Sequence, residues 1–232
     1  MELSIKDLVS IFKVSEETVF QWIRDRNLPA CRVNRQYRIN RAELLEWANA
    51  SGMTIPPDLV REPDFAGPAL PRLDEALAAG GVYPGIQGND KDSVLEAVVG
   101  VLTLPPEVDR AFLLQVLLAR EAMGSTGIGG GIAIPHVRDP IILHMPRPMA
   151  ALCFLEKPID FHSLDCQGVH TLFVLLSPTV PAHLHLLSKV SYALRDQGFK
   201  SAVTRRAPVE EILAEAARVE ETLLTCSPHP PA

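Results

Sequence analysis

The sequence predicts two domains, a small and mostly helical N-terminal domain followed by a larger α/β domain in which helices flank a mixed sheet. A dense run of prolines divides the 232 residues, with short helical patterns before it and apolar strand patterns alternating with helices after it. Hydrophobic residues make up 47% of the chain, which is enough to bury a substantial core.

The composition argues against the membrane and secreted classes of protein. No apolar run reaches the roughly 18 residues that a membrane span needs, and no signal peptide opens the chain. The cysteines are scattered without a CxxC pair, which predicts reduced thiols rather than disulfides or zinc ligands: Cys31, Cys153, Cys166 and Cys226. We therefore expect a cytoplasmic protein without a bound metal or cofactor.

The first fifty residues predict three short helices. Each helix has its own start signal, namely Ser4 with Asp7, Ser15 before two glutamates, and Asn40 with Glu43. The apolar residues of each helix fall on one face, and the three faces can close one small core: Leu8, Ile11, Phe12, Val19, Trp22, Ile23, Leu44, Leu45 and Trp47.

A basic hairpin is predicted between the second and third helices. The stretch CRVNRQYRI, residues 31–39, alternates apolar and basic side chains about a turn at Asn34 and Arg35. Residues 1–50 hold eight Lys/Arg against seven Asp/Glu, a net +1 in a chain of net charge −6, so the remainder carries −7. Two helices followed by a basic wing can place one helix in a major groove and cations against the flanking phosphates.

This segment resembles the excisionase/MerR-type winged helix-turn-helix over residues 2–50. The family often has glycine at two turns where this chain has Asn27 and Asn34, and asparagine tolerates the positive φ of such turns. We expect a homodimer on DNA, because one small module makes few base contacts. A second interpretation treats the arginines as a solvated surface on a module that binds a protein partner. The resemblance implies that DNA contacts come from the second helix and the wing: Thr18, Gln21, Arg24, Arg35, Gln36 and Arg38.

Proline marks the boundary between the two domains. Five prolines lie within residues 51–71, and this segment is predicted to be an extended linker because proline fixes φ and lacks an amide donor. The predicted domains are therefore residues 1–50 and 72–224, with a tail at residues 225–232. Within the larger domain, helices are expected near residues 90–103, 107–122, 181–196 and 208–221, and strands near 131–135, 148–155 and 170–177.

A glycine cluster, GSTGIGGGIAIPH at residues 124–136, first invites comparison with nucleotide-binding loops. A P-loop requires a lysine that is missing here, and a dinucleotide fingerprint requires glycine where Ile132 stands and a helix where Pro135 follows. With nucleotide binding disfavoured, the candidate functional residue of this stretch is His136, whose side chain is expected to project from the end of a short buried strand. A neutral imidazole is a competent nucleophile, and glycines around it let a phosphoryl group approach closely.

The stretch REAMGSTGIGGGIAIPH closely resembles the enzyme IIA domain of the mannitol, fructose and nitrogen-regulatory class of the bacterial phosphotransferase system, and the resemblance extends over about residues 72–221. It implies that His136 accepts a phosphoryl group from the histidine phosphocarrier protein HPr, or from its nitrogen-branch homologue, with Arg120 and His183 assisting and no cofactor. Guanidinium and imidazole groups can neutralise and donate to phosphoryl oxygens. Ser125 and Thr126 are candidates to contact the phosphate or to stabilise the loop.

The remaining histidines have no counterpart in the family motifs. His183 and His185 are two residues apart and point to different sides of a helix, so they are weak metal ligands. We expect structural or surface roles for His144, His162, His170 and His185. The loop from Pro140 departs from the family pattern, which leaves the partner surface less defined than the nucleophile.

The sequence therefore predicts a regulator in which a phosphohistidine domain of the nitrogen-regulatory type, favoured by the string GSTGIG, is joined to a DNA-binding head. Two alternatives stay open. One is a phosphocarrier that passes its phosphate to a separate IIB or transporter partner. The other is an interaction module, without phosphorylation, that binds transporters or kinases.

Overall fold

The computed structural model describes residues 2–26, 28–33, 36–51, 53, 70–137, 140–143, 145–163 and 165–225. These residues fall into two compact units, one that contains the described residues up to 53 and one that contains those from 70 onward. Most of the predicted linker and nearly all of the predicted tail lie outside the described residues, so the domain boundaries stay predictions.

The N-terminal unit contains the three predicted helices and the predicted hairpin, together with one further strand. Its elements are β1 (Glu2–Ser4), α1 (Ile5–Phe12), α2 (Glu16–Asp25), β2 (Cys31–Val33), β3 (Gln36–Asn40) and α3 (Arg41–Ala50). The strands form an antiparallel sheet in the order β1-β3-β2. Strand β1 was not predicted from the sequence, because three residues are too few to display an alternating pattern.

Local capping and aromatic packing hold the N-terminal unit together. Ser4 and Asp7 form a reciprocal capping box at the start of α1, and the Ser15 hydroxyl accepts from the backbone N–H of Thr18 at the start of α2. The Trp22 and Trp47 rings pack with centroids 5.4 Å apart. Most of the predicted core is buried, whereas three members of the list are only half-buried: Ile11, Phe12 and Ile23.

The larger unit is a five-stranded mixed sheet with helices on both faces, which confirms the predicted fold class. Its elements are α4 (Leu73–Gly80), β4 (Val82–Ile86), α5 (Lys91–Val101), α6 (Arg110–Ala122), β5 (Gly127–Gly129), β6 (Ile132–Ala133), a 3-10 turn (Pro140–Leu143), β7 (Met149–Ile159), β8 (Val169–Leu176), α7 (Val180–Ala193), α8 (Gln197–Thr204) and α9 (Val209–Thr225). The strand order is β4-β7-β8-β6-β5. Strands β6 and β8 run parallel, so their carboxyl ends meet at one edge of the sheet.

Alternating residues of the central strands face different helices. Cys153 and its register partner Leu172 lie in the core cluster that includes residues of α5 and α6. On the opposite face, Phe173 of β8 packs against Phe199 of α8 at a ring centroid distance of 6.3 Å. Of the helices in the described part of the chain, none is long and apolar enough to cross a membrane.

The sequence did not indicate the 3-10 turn or four short helices and strands of the larger unit: α4, β4, β5 and α8. Strand β4 contains Pro84 and Gly85, two residues that ordinarily argue against a strand. Strand β7 extends past its predicted end to Ile159, with an irregular register between Phe154 and Ile159 where Pro158 interrupts the pattern. The predicted helices are all present, with ends that differ by a few residues.

Candidate active site

His136 lies at the sheet edge where the carboxyl ends of β6 and β8 meet. Beyond the end of β6, the chain continues to pair with β8. The Pro135 carbonyl accepts a hydrogen bond from the Leu175 N–H at 3.0 Å, and His136 forms a parallel bridge to Leu175. We expected the side chain to project from the end of the strand. It is instead only 3% exposed, because α7 and the end of α6 supply residues that cover it.

The two ring nitrogens of His136 have different partners. Nδ1 lies 2.7 Å from the carbonyl oxygen of Ile134, and since a carbonyl can only accept, Nδ1 carries the proton. Nε2 accepts from the Arg120 Nε–H at 3.1 Å, so Nε2 holds the lone pair. The surroundings thus select one neutral tautomer and make Nε2 the nucleophilic atom.

Arg120 approaches from the last turn of α6 and is half-buried. Its Nη1 also donates to the Gly124 carbonyl at 2.9 Å, so the guanidinium spans the nucleophile and the start of the glycine loop. A guanidinium in this position can meet two oxygens of an incoming phosphoryl group while keeping its tie to the loop. The predicted pairing of Arg120 with His136 is therefore present in the fold.

His183 lies in the first turn of α7, which begins at a Thr179 cap. Its ring centroid is 5.0 Å from that of His136, with the rings inclined by 39°, and the side chain is 2% exposed. The helix amino terminus contributes a partial positive charge at this point. The fold thus places a guanidinium at Nε2 of His136, and a second imidazole near the amino terminus of a helix beside the same ring, an environment suited to an anion.

The hydroxyl groups of Ser125 and Thr126 are engaged within the glycine loop. Ser125 Oγ donates to the Phe161 carbonyl and accepts from the Gly127 N–H at 3.0 Å. Thr126 is buried, and both its N–H and its hydroxyl donate to Glu121 Oε2, at 3.0 and 2.7 Å. These hydrogen bonds give both residues a part in holding the loop, and a contact of either residue with phosphate stays a prediction.

The glycine cluster builds the turn between β5 and β6. Gly129, Gly130 and Gly131 all have positive φ, of 90°, 61° and 73°. A side chain at Gly131 would also meet His170 Nε2 at 2.4 Å. The Gly130 N–H donates to Asp165 Oδ2 at 2.7 Å, and this bond, followed by that from Gln167, lowers the pKa of the Asp165 carboxyl. The glycines therefore serve the hairpin that leads to His136.

The predicted DNA contacts in the N-terminal unit differ in how exposed their side chains are. Gln21 and Arg24 are exposed on α2, whereas Thr18 is half-buried and its hydroxyl lies 2.9 Å from that of Ser15. Arg38 is half-buried on β3, and its charge contributes to lowering the pKa of Asp7, after the stronger effect of hydrogen bonds from Ser4. Arg35 and the side chain of Gln36 lie outside the described residues.

An aromatic residue that the sequence analysis passed over lies beside these contacts. Phe20 is 36% exposed on α2, and its ring packs edge-on against Tyr37 of β3 at a centroid distance of 5.8 Å. The two rings line an open groove of about 510 Å³ together with Glu17, Ile23 and Arg24. The signal in the sequence was a large apolar residue on the polar side of an amphipathic helix.

Two protein families match the chain. Residues 77–217 match the family described as phosphoenolpyruvate-dependent sugar phosphotransferase system, EIIA 2. The chain belongs to this family. Residues 2–52 match a second family, described as a helix-turn-helix domain. The predicted fusion of an EIIA domain with an N-terminal helix-turn-helix domain is therefore confirmed.

The relatives of the EIIA domain include nitrogen regulatory proteins. The chain is 37% identical over 145 residues to one from Pseudomonas aeruginosa, covering 61% of this chain and 92% of the relative. It is 33% identical over 128 residues to one from Bradyrhizobium diazoefficiens, covering 54% of this chain and 81% of the relative. The crystal structure of nitrogen regulatory protein IIA-Ntr from Neisseria meningitidis matches with a TM-score of 0.50 and 26% identity, over 58% of this chain and 91% of that one. The EIIA domain is thus of the nitrogen-regulatory type.

Glu121 is the residue of the EIIA site that the sequence analysis missed. It follows Arg120 in the last turn of α6 and is 6% exposed, although buried carboxylates are rare. Besides accepting from Thr126, it faces Lys91 Nζ at 3.6 Å through Oε1. A carboxylate in the last turn of a mostly apolar helix, before a glycine loop, was the available signal.

The other histidines of the EIIA domain have partners away from His136. His162 is exposed and lies 3.1 Å from Asp160, and His144 lies outside the described residues. His170 is half-buried beside Thr171, and burial followed by the charge of Arg206 lowers its pKa. Within the described residues, no group of three His, Cys, Asp or Glu side chains could hold a metal ion.

His185 and Cys153 also have defined surroundings in the EIIA domain. His185 Nε2 lies 2.9 Å from the Pro71 carbonyl. This contact agrees with the structural or surface role that was expected for His185. Burial raises the pKa of the Cys153 thiol to about 12, which keeps it protonated and inert at neutral pH.

Proposed function

We propose that the chain accepts a phosphoryl group from phosphorylated HPr, or from its nitrogen-branch homologue, on His136 Nε2, and that this phosphorylation regulates DNA binding by the helix-turn-helix domain. The observation that carries the proposal is the fixed tautomer of His136, with Nδ1–H held by the Ile134 carbonyl and Nε2 facing Arg120. The proposal has the protein acting in the cytoplasm together with its donor and its DNA.

The transfer proceeds by attack of the Nε2 lone pair on phosphorus. The new N–P bond forms as the N–P bond of the donor's phosphohistidine breaks, and the electron pair of that bond returns to the donor imidazole. Arg120 leaves Nε2 and moves onto the phosphoryl oxygens, while His183 and the amino terminus of α7 neutralise the remaining charge. Such transfer depends mainly on positioning and charge neutralisation, the roles proposed here for Arg120, His183 and the amino terminus of α7.

A structural link supports coupling of the phosphorylated site to the N-terminal end of the EIIA domain. Helix α7 carries both His183, which packs against His136, and His185, whose Nε2 lies 2.9 Å from the Pro71 carbonyl. Because a carbonyl only accepts, His185 Nε2 is the donor in this bond. One rigid helix thus contacts both the proposed phosphoacceptor and the residues that lead into the domain.

A second bond network anchors the same end of the domain to α7. Glu220 of α9 is 3% exposed and accepts from the Leu73 N–H at 3.1 Å and from Lys189 of α7 at 2.5 Å. A displacement of α7 by two added charges at His136 would therefore act on Pro71 and Leu73 together. This arrangement supports a regulatory role for phosphorylation of His136.

Mass spectrometry of the intact protein tests the phosphoacceptor. The purified wild-type chain and the His136→Ala variant are incubated with phosphoenolpyruvate, enzyme I and HPr, and separately with the nitrogen-branch equivalents. We expect a gain of one phosphoryl group, about 80 Da, in the wild type alone. If neither donor set adds mass to the wild type, the phosphotransfer proposal is wrong.

Operator selection from random DNA tests the proposed regulation. We expect one enriched sequence with two half-sites, as for a dimer, and an affinity that differs between the phosphorylated and unphosphorylated protein. The His185→Phe variant removes the bond to Pro71 and should reduce that difference without reducing phosphorylation. Phosphorylation without any selected DNA sequence would instead favour the phosphocarrier alternative.

A further inference from the structure

Glu121 is a buried carboxylate in an unfavourable position. It lies in the last turn of α6, where the helix dipole disfavours a negative charge, and burial adds a desolvation cost. Two hydrogen bonds, from the N–H and the hydroxyl of Thr126, and the positive charge of Lys91 at 3.6 Å offset these costs. A buried charged group of this kind contributes little net stability compared with an apolar residue. Its value to the protein is therefore sought in the groups that it holds in place.

The group that Glu121 holds is connected to His136 by consecutive hydrogen bonds. Glu121 Oε2 accepts from both the N–H and the hydroxyl of Thr126, and the Thr126 carbonyl accepts from the Ile134 N–H at 3.0 Å. The Ile134 carbonyl then lies 2.7 Å from His136 Nδ1. Ile134, whose carbonyl fixes the tautomer of the nucleophile, is thus tied to Glu121 through Thr126.

The neighbouring residue in the chain reaches the opposite side of the same imidazole. Arg120 donates to His136 Nε2 and to the Gly124 carbonyl, and Glu121 fixes the loop two residues after Gly124. Consecutive residues of one helical turn therefore govern both nitrogens of His136, one by direct contact and one through the loop. Lys91 of α5 fixes the carboxylate from outside that turn.

We propose that Glu121 is a positioning residue for phosphoryl transfer, which acts through Thr126 and Ile134 to hold His136 with its proton on Nδ1 and its lone pair on Nε2. The inference rests on the proposed function, since it specifies how the same nucleophile is prepared. Removing the carboxylate leaves the Thr126 N–H without its acceptor, lets the 125–127 loop shift, and lengthens the bond from the Ile134 carbonyl to Nδ1.

The test compares Glu121→Leu, which removes every acceptor, with Glu121→Gln, which keeps a carbonyl oxygen for Thr126. We expect the transfer rate at saturating phosphorylated HPr to fall about tenfold or more in the leucine variant, because small misplacements of a nucleophile are costly. The glutamine variant should recover most of that loss. The KM for phosphorylated HPr should change little in either variant, because Glu121 is buried away from a protein surface.

Nitrogen-15 NMR of the histidine side chains gives a readout that does not depend on transfer. In the unphosphorylated wild type, His136 should show a protonated Nδ1 and an unprotonated Nε2. We expect the leucine variant to show a mixture of tautomers and the glutamine variant to resemble the wild type. If the wild type is never phosphorylated but the tautomer of His136 responds in this way, the proposed phosphoryl transfer is wrong, while the conclusion that Glu121 positions His136 stands.

A second pair of variants, at Thr126, tests the same hydrogen bond in case Glu121→Leu does not fold. Thr126→Val removes the hydroxyl that donates to Glu121 with little change of shape, and Thr126→Ser restores it. We expect the valine variant to change the rate and the tautomer in the direction of Glu121→Leu, and the serine variant to restore both. A folded Glu121→Leu or Thr126→Val protein with the wild-type rate and tautomer, even if it melts at a lower temperature, would overturn the proposal.

Discussion

The EIIA domain and the helix-turn-helix domain arrange their candidate functional residues in opposite ways. In the EIIA domain, His136 and His183 are almost fully buried, and the ring nitrogens of His136 already have defined partners. On α2 of the helix-turn-helix domain, Gln21 and Arg24 are exposed. The first arrangement prepares one atom for chemistry before the donor arrives, whereas the second leaves polar groups available to a partner of complementary shape and charge.

The difference has an energetic consequence. Substitutions in the EIIA site should act mainly on the rate of transfer, since the site is held by internal bonds that a partner does not supply. Substitutions on α2 should act on affinity and its salt dependence, since exposed cations gain their main partner only in the complex.

The first prediction concerns Arg120, which donates to the nucleophilic nitrogen of His136. Arg120→Ala should lower the phosphoryl transfer rate about a hundredfold, a typical cost for removing one preorganised donor to developing charge. Arg120→Lys should recover only part of the rate, because an ammonium lacks the planar fork. Rapid-quench mass spectrometry measures both, with Arg205→Ala, which removes a partner of Glu211, as the control. A rate for Arg120→Ala within threefold of the wild type would contradict the role.

The second prediction concerns Arg24, the exposed cation on α2. Arg24→Ala should weaken operator binding by about 1–3 kcal/mol if the side chain contacts a base, or lower the salt slope by about 1 if it contacts a phosphate. Lys6→Ala removes the same charge from an exposed position on α1 and serves as the matched control. Titration of fluorescent operator DNA at several salt concentrations measures the effect. Equal losses for both variants would mean that net charge, rather than position, accounts for binding.

The third prediction concerns the stability of the helix-turn-helix domain, in which local caps hold short elements. Ser4→Ala removes the hydroxyl side of the Ser4–Asp7 capping box and should lower the free energy of unfolding of this domain by about 1 kcal/mol. Ser4→Thr keeps the hydroxyl and should cost less. Thermal unfolding of the full chain, followed by tryptophan fluorescence, reports this domain because both tryptophans, Trp22 and Trp47, lie in it. An unchanged midpoint would show that the cap contributes nothing.

The same contrast explains how much of the structure could be predicted from the sequence. Caps and amphipathic faces are local, so the helices that begin after Ser4 and Ser15 could be located from a few consecutive residues. Strand β4 could not, because Pro84 and Gly85 oppose a strand locally and pairing with β7 decides the outcome. Elements stabilised mainly by distant neighbours escape a local pattern.

The candidate site follows the same rule. His136, Arg120 and His183 were found because their motifs resemble those of a known family, and the fold then brings the three together. The role of Glu121 depends on which atoms of Thr126 and Ile134 meet after folding. The bond from His185 to Pro71 joins residues 114 positions apart, and no spacing in the sequence indicates it.

The last and smallest predicted effect is a pH dependence of EIIA domain stability that arises from His170. Burial and, to a smaller extent, Arg206 lower its pKa in the folded state from the ordinary 6.5, so the unfolded chain binds more protons in the interval between the two values. This contribution to stability is complete above pH 6.5 and is lost as the pH falls toward the folded pKa. Removing the imidazole should remove the dependence without disturbing the sheet.

Denaturant unfolding at pH 7.5 and pH 5.5 measures this dependence in the wild type, in His170→Gln and in His162→Gln, whose imidazole is exposed. The fall in stability between the two pH values should be smaller in His170→Gln than in the wild type. The His162→Gln variant controls for the loss of an imidazole elsewhere in the same domain. An identical pH dependence in the wild type and His170→Gln would mean that the half-buried position of His170, beside the glycine turn, admits enough water to hydrate the charged ring.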